Sequence, residues 1–189
     1  MSLANNRRTL YLLALLSAVP IMAATVAYFF FKPTTVRSYG TLMQPVAPAR
    51  LEGLQTVEGK ALTTERFAGK WWLLTVGAAE CTAPCLQQVH ALRQIRLAQG
   101  KDMGRVERVW LATGTAPLAS LPAMDREGLL VARGGEALLK QLQSFGAPEH
   151  AIFIMDPHGN LVFRYAPDAV PHSVIQEFAK LLKNNQGLG

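Results

Sequence analysis

An α/β domain, a mixed sheet with flanking helices preceded by a single transmembrane helix, is the fold class this sequence predicts. Three observations predict it. The run from Leu10 to Phe31 contains no charged residue. After Leu51, short apolar strand-like runs alternate with helix-like patterns, the mark of a sheet covered on both faces. The only two cysteines, Cys81 and Cys85, stand where an apolar run ends and a helical pattern begins.

The N-terminal run is long enough to cross a bilayer, roughly 33 Å at helical rise. A secretory signal peptide has a shorter apolar core followed by a small-residue cleavage site. Ala23-Ala24 imitates such a site, but the run continues through Tyr28-Phe29-Phe30-Phe31, aromatic residues that suit a membrane interface. An uncleaved anchor is the expectation, with Pro20 tolerated inside it. The chain then divides into a short cytoplasmic N-terminus (1–9), an anchor (10–31), a linker (32–50) and a domain (51–189). A short N-terminal side and a long folded C-terminal side place the domain outside the cytoplasm. The protein is thus expected in the inner (cytoplasmic) membrane as a single-pass protein, its domain on the periplasmic or extracytoplasmic side.

The formal net charge is +6. Without Arg7, Arg8 and Lys32 the 19 basic residues become 16 against 13 acidic, a net +3. No basic block and no interleaving of aromatic with basic residues points to nucleic acid.

Taken in order, Lys32 to Arg50 carries Pro33, Pro45 and Pro48 and reads as a tether. Leu54 to Leu62 reads as a short hairpin turning at Glu58-Gly59. Trp71 to Val76 is an apolar, β-branched and aromatic run suited to a central strand buried on both faces. Leu86, Val89, Leu92 and Ile95 recur at helical spacing until Gly100. Val106 to Ala112 is the next strand, Thr113 to Asp125 a loop, and Leu129 to Ala132 a further strand. Glu136 to Phe145 is a helix. His150 to Met155 and Leu161 to Tyr165 form an antiparallel hairpin about Asp156-Pro157-His158-Gly159-Asn160. An amphipathic helix, about Ser173 to Lys183, closes the domain. With a thiol pair at a helix start after the first central strand, the outline is thioredoxin-like.

Cys81 and Cys85 lie one helical turn apart if the second segment is helical. The positive end of a helix favours thiolate, so such a pair is reactive or metal-binding. Two buried structural cysteines are the plain alternative, but Glu80, Thr82 and Pro84 suit a loop or cap better than a core.

Two segments carry a family resemblance: Cys81-Thr82-Ala83-Pro84-Cys85, and His150-Ala151-Ile152-Phe153-Ile154-Met155-Asp156-Pro157-His158-Gly159. On these, the sequence resembles the Sco family, copper-binding proteins that serve assembly of cytochrome c oxidase. The resemblance covers roughly Leu51 to Lys183. It implies a membrane anchor, a thioredoxin-like domain, a Cys-x-x-x-Cys pair and a histidine as third copper ligand, here Cys81, Cys85 and His150. It departs from the family pattern in having Leu86 after the second cysteine and Pro84 before it. The linking segment to His150 is also shorter than usual.

Copper(I) prefers thiolate, and imidazole suits both Cu(I) and Cu(II), so this set holds either state. Glu149 is a candidate acceptor for the His150 ring, with a solvated charge as its alternative role. His90 points away from both thiols, and His158 and His172 read as surface residues.

The functional reading is a membrane-anchored copper chaperone for the oxidase copper site, whose partner is an oxidase subunit or another assembly factor. A thiol-disulfide oxidoreductase is the first alternative, with Cys81 attacking and Cys85 resolving. That reading expects a cis-proline opposite the pair, in the Pro148-Glu149-His150 region. A non-catalytic scaffold holding one static disulfide is the second alternative.

Overall fold

The computed structural model describes residues 3–30 and 39–185. Residues 1 and 2, Phe31 of the expected anchor, and residues 32–38 of the expected linker lie outside the described residues. The chain forms two units, residues 1–37 and 38–189.

The first unit is helix α1, Leu3–Phe30, with Pro20 inside it. Among the described residues one helix is long and apolar enough to cross a membrane, over Arg8–Val26. Two of its polar side chains bond back to the helix: the Ser17 hydroxyl donates to Ala14 O at 3.0 Å and the Thr25 hydroxyl to Ile21 O at 2.8 Å. A helix of this length and composition fits a single-pass membrane protein.

The second unit holds seven strands: β1 (Thr41–Pro48), β2 (Leu54–Thr56), β3 (Trp71–Ala78), β4 (Val106–Thr113), β5 (Leu129–Gly134), β6 (Ile152–Met155) and β7 (Asn160–Tyr165). They lie in the order β1-β7-β6-β3-β4-β5-β2. β3–β4 and β4–β5 are parallel, and the other pairings are antiparallel. The helices are α2 (Thr64–Phe67), α3 (Ala83–Leu97), α4 (Ala123–Arg126), α5 (Glu136–Gln143) and α6 (Pro171–Asn184), with a 3-10 turn over Gly100–Arg105. This is the mixed, thioredoxin-like α/β architecture expected of the sequence.

β3 explains the layering. Its first seven residues are all buried, because side chains alternate between two covered faces. Trp72, Leu74 and Val76 join Phe67 of α2 and Leu138 and Leu142 of α5 in one core. Trp71 and Leu73 join Leu92 and Ile95 of α3 and Val174, Phe178 and Leu182 of α6 in the other. The last three stand four apart, one stripe along α6, and Phe178 meets Trp71 edge-on at 6.1 Å between centroids. Each large side chain buried this way contributes about 1.5–3 kcal/mol.

Four expectations need correction. The segment read as a tether up to Arg50 contains β1, which pairs Thr41 with Arg164 and Pro48 with Asn160 of β7. As a sheet-edge strand, β1 accommodates Pro45 and Pro48 without breaking a central ladder. The hairpin at 54–62 survives as one bridge, Gln55 to Ala61. β2 instead pairs with β5, closing the far edge of the sheet. Finally, the loop from Thr113 ends in a single helical turn, α4, and His150 lies ahead of β6 rather than in it.

Candidate functional site

The site forms at the C-terminal end of β3. Past Ala78 the chain turns, with the Cys81 N–H donating to Ala78 O at 3.0 Å, and enters α3. Pro84 stands in the first turn of α3, where a missing N–H costs nothing. That explains its place ahead of Cys85. Leu86, the residue after Cys85, is 37% exposed.

Cys81 and Cys85 form a disulfide, with Cα atoms 5.0 Å apart. Both residues are buried, at 3% and 2% exposure. They pack with Val89, Trp110, Ala112 and Leu121, and Leu118 and Ala119 lean on the same cluster. The loop after β4 is stitched down there, since the Ala119 N–H donates to Ala79 O at 2.8 Å.

His150 reaches the same end of the sheet from the other side. Its N–H donates to Val76 O at 2.9 Å, and the Thr75 hydroxyl donates to Ala151 O at 3.0 Å. Its backbone is left-handed, φ +59°, and its Nδ1 is buried with no hydrogen-bond partner. Glu149 is exposed and bridges Val76 through its backbone, so it does not hold Nδ1.

The structure thus bonds two of the three expected ligands and brings the backbone of the third to the same sheet end. Among the described residues it gathers no group of three His, Cys, Asp or Glu side chains fit to hold a metal. The cis peptide among the described residues is Gln44-Pro45, at the sheet edge, and not Ala147-Pro148 beside the site.

The remaining histidines lie elsewhere. His90 Nδ1 is 3.0 Å from Asp125 Oδ1, and His172 Nε2 is 2.9 Å from Gln176 Nε2. His158 is exposed in its turn.

Three buried residues escaped sequence reasoning, and one of them, Trp110, shares the cluster of the thiols. Asp125 is 5% exposed and ties α4 to His90. Arg108, 2% exposed on β4, donates to the carbonyls of Asp125 and Glu127. Burial first, then Arg96 and Arg93, pull its guanidinium below the ordinary arginine range. Trp110 Nε1 is buried without a partner beside the disulfide cluster. Two charged residues inside an otherwise apolar strand, Glu107-Arg108 in Val106–Ala112, were the available signal.

Residues 71–185 match the family described as transmembrane-like, thioredoxin-like, C-terminal domain. The chain belongs to this family. No curated protein matches it in sequence. Among solved structures, this thioredoxin-like chain is similar to ScoI of Arabidopsis thaliana with copper bound, at 17% identity and TM-score 0.59. The match covers 74% of this chain and 98% of that one. It is similar to apo Sco1 of Thermus thermophilus at 22% identity and TM-score 0.58, covering 76% and 96%. A third is BsSco, described with a disulfide switch as a member of the Sco family of cytochrome c oxidase assembly proteins, at 14% identity and TM-score 0.53, covering 78% and 99%. At these identities the likeness is one of fold. The resemblance read from the two motif segments therefore stands at the level of a shared thioredoxin-like domain.

Proposed function

We propose that this protein is a membrane-anchored copper chaperone assisting assembly of the cytochrome c oxidase copper site, taking copper on Cys81, Cys85 and His150. One observation carries the reading. Among the described residues, the non-glycine residues with positive φ are Cys81, at +37°, and His150, at +59°. Left-handed backbone costs a non-glycine residue of order 1–3 kcal/mol and persists where the surrounding structure enforces it, typically at functional sites. Both fall at the same end of β3, and one presents a buried imidazole nitrogen without a partner.

The donor chemistry agrees. A reduced pair offers two thiolates to soft Cu(I), and imidazole serves Cu(I) and Cu(II) alike. Three protein ligands leave a position open for transfer to an oxidase subunit or another assembly factor. Loading requires the disulfide to be reduced and the His150 side chain to come to the freed sulfurs. The copper-bound Arabidopsis neighbour and the oxidase-assembly description of BsSco support the same direction. In this reading the helix spans the inner membrane and the domain works on its periplasmic side.

The full chain in detergent, reduced and offered Cu(I), binds one copper per chain. Cys81→Ser abolishes binding and His150→Ala weakens it at least tenfold. Equal affinity in His150→Ala removes the histidine from the site.

The closed disulfide favours a second reading, a thiol-disulfide oxidoreductase. There the Cys81 thiolate attacks a substrate disulfide, Cys85 resolves the mixed disulfide, and the substrate leaves as a dithiol while Cys81-Cys85 closes. Metal-free turnover of a disulfide substrate, with a mixed disulfide trapped by Cys85→Ala, decides for it.

A further inference from the structure

We propose that Trp110 is a positioning residue for the thiol pair: its indole N–H bonds the sulfur of Cys85 once the disulfide opens. Gly77 reveals the arrangement. A Cβ built on Gly77 would lie 3.2 Å from Cys85 Sγ and 3.3 Å from Trp110 Nε1. The sulfur and the indole nitrogen therefore converge on the same glycine, and any other residue there would crowd both. Trp110 comes from β4, one strand over from Gly77, and is 1% exposed.

Its N–H has no acceptor in the closed state. Buried indole N–H groups ordinarily find one, as Trp72 does on Phe67 O at 2.9 Å. Trp71 Nε1 is also unpartnered, but at the opposite end of β3. A disulfide sulfur is a poor acceptor, whereas a thiolate, free or metal-bound, accepts a charge-assisted bond. The donor beside Cys85 is thus unsatisfied only while the pair is oxidised.

In the step concerned, a dithiol reductant gives two electrons and two protons. Its own thiols close to a disulfide, and the Cys81-Cys85 bond breaks to two thiols, which ionise or load metal. Bonding by Trp110 favours this open state. The inference rests on the proposed function only in requiring that the pair opens.

The test uses the full chain in detergent micelles without metal. On reduction with dithiothreitol, the Trp110 indole resonance in a proton–nitrogen correlation spectrum moves downfield, while that of Trp72 stays in place. In glutathione redox buffers, Trp110→Phe shifts the equilibrium about tenfold toward the disulfide, about 30 mV for two electrons. Trp71→Phe leaves it unchanged. A merely structural role destabilises both redox states alike and does not move this equilibrium. An unmoved Trp110 resonance, or a Trp110→Phe equilibrium equal to wild type, overturns the proposal. If Trp110→Phe fails to fold, the wild-type resonance decides. Copper is absent throughout, so failure of the copper reading leaves this result standing, and the reverse holds.

Discussion

β6 has two ends, and they are built in opposite ways. At one end the turn into β7 is fully satisfied. Asp156 Oδ1 accepts the N–H groups of His158 at 2.9 Å and Asn160 at 2.8 Å, and Asp156 Oδ2 accepts the Asn160 side-chain amide at 3.0 Å. The left-handed position there, φ +83°, is Gly159, with nothing within 4 Å of where a Cβ would sit. At the other end the left-handed position is His150, and its buried Nδ1 has no partner. Same strand, same need to turn, different residue choice. A turn that only connects uses glycine and closes its hydrogen bonds. In the proposed reading the His150 turn serves chemistry, keeping a side chain on costly backbone with its buried Nδ1 unpartnered.

The largest expected effect tests the satisfied end. Asp156→Ala removes three hydrogen bonds at about 1 kcal/mol each, so chemical denaturation shows a loss of about 3 kcal/mol. Copper stoichiometry stays at the wild-type value. A loss of copper in that variant breaks the contrast between the two ends.

His150→Gly has the opposite sign. Glycine relieves the left-handed backbone, so stability holds or rises by up to about 1 kcal/mol, while copper affinity falls at least tenfold. A clear loss of stability instead shows that the imidazole is there for packing.

The smallest effect sharpens the role of β7. Burial of Tyr165 pushes its phenol far above the ordinary tyrosine value, and the Glu177 carboxylate pushes the same way. With its native pKa raised, Tyr165 keeps its proton in the fold and loses it in the unfolded chain above about pH 10. Stability from this group is fully present below that pH and is lost as pH rises beyond it. In a melting series from pH 8 to 11, Tyr165→Phe therefore shows a shallower decline above pH 10 than wild type. Parallel curves would mean that the phenol does not contribute.

The difference between the ends of β6 also marks how far local pattern reached. The turn Asp156–Asn160 was legible because Asp, Pro, Gly and Asn act on their own neighbours. The left-handed His150 was not, because its conformation is imposed by Val76 and Thr75, more than 70 residues earlier in the chain. Likewise Cys81 and Cys85 were legible as a pair from spacing alone. The donor beside them, Trp110, read only as one more apolar residue of a strand.

The sequence by itself determined the apolar N-terminal helix, the alternation of strands and helices, and the thiols at a helix start. These follow from side-chain period, capping and breaker residues within a few positions of one another. Only the tertiary structure decided that the proline-bearing segment at 41–48 is an edge strand on β7, that β2 closes on β5, and that Arg108 and Asp125 are buried. It alone brought Cys85 and Trp110 together at Gly77. Edge pairing, burial of charge and convergence of atoms depend on contacts between distant segments, and no local period records them.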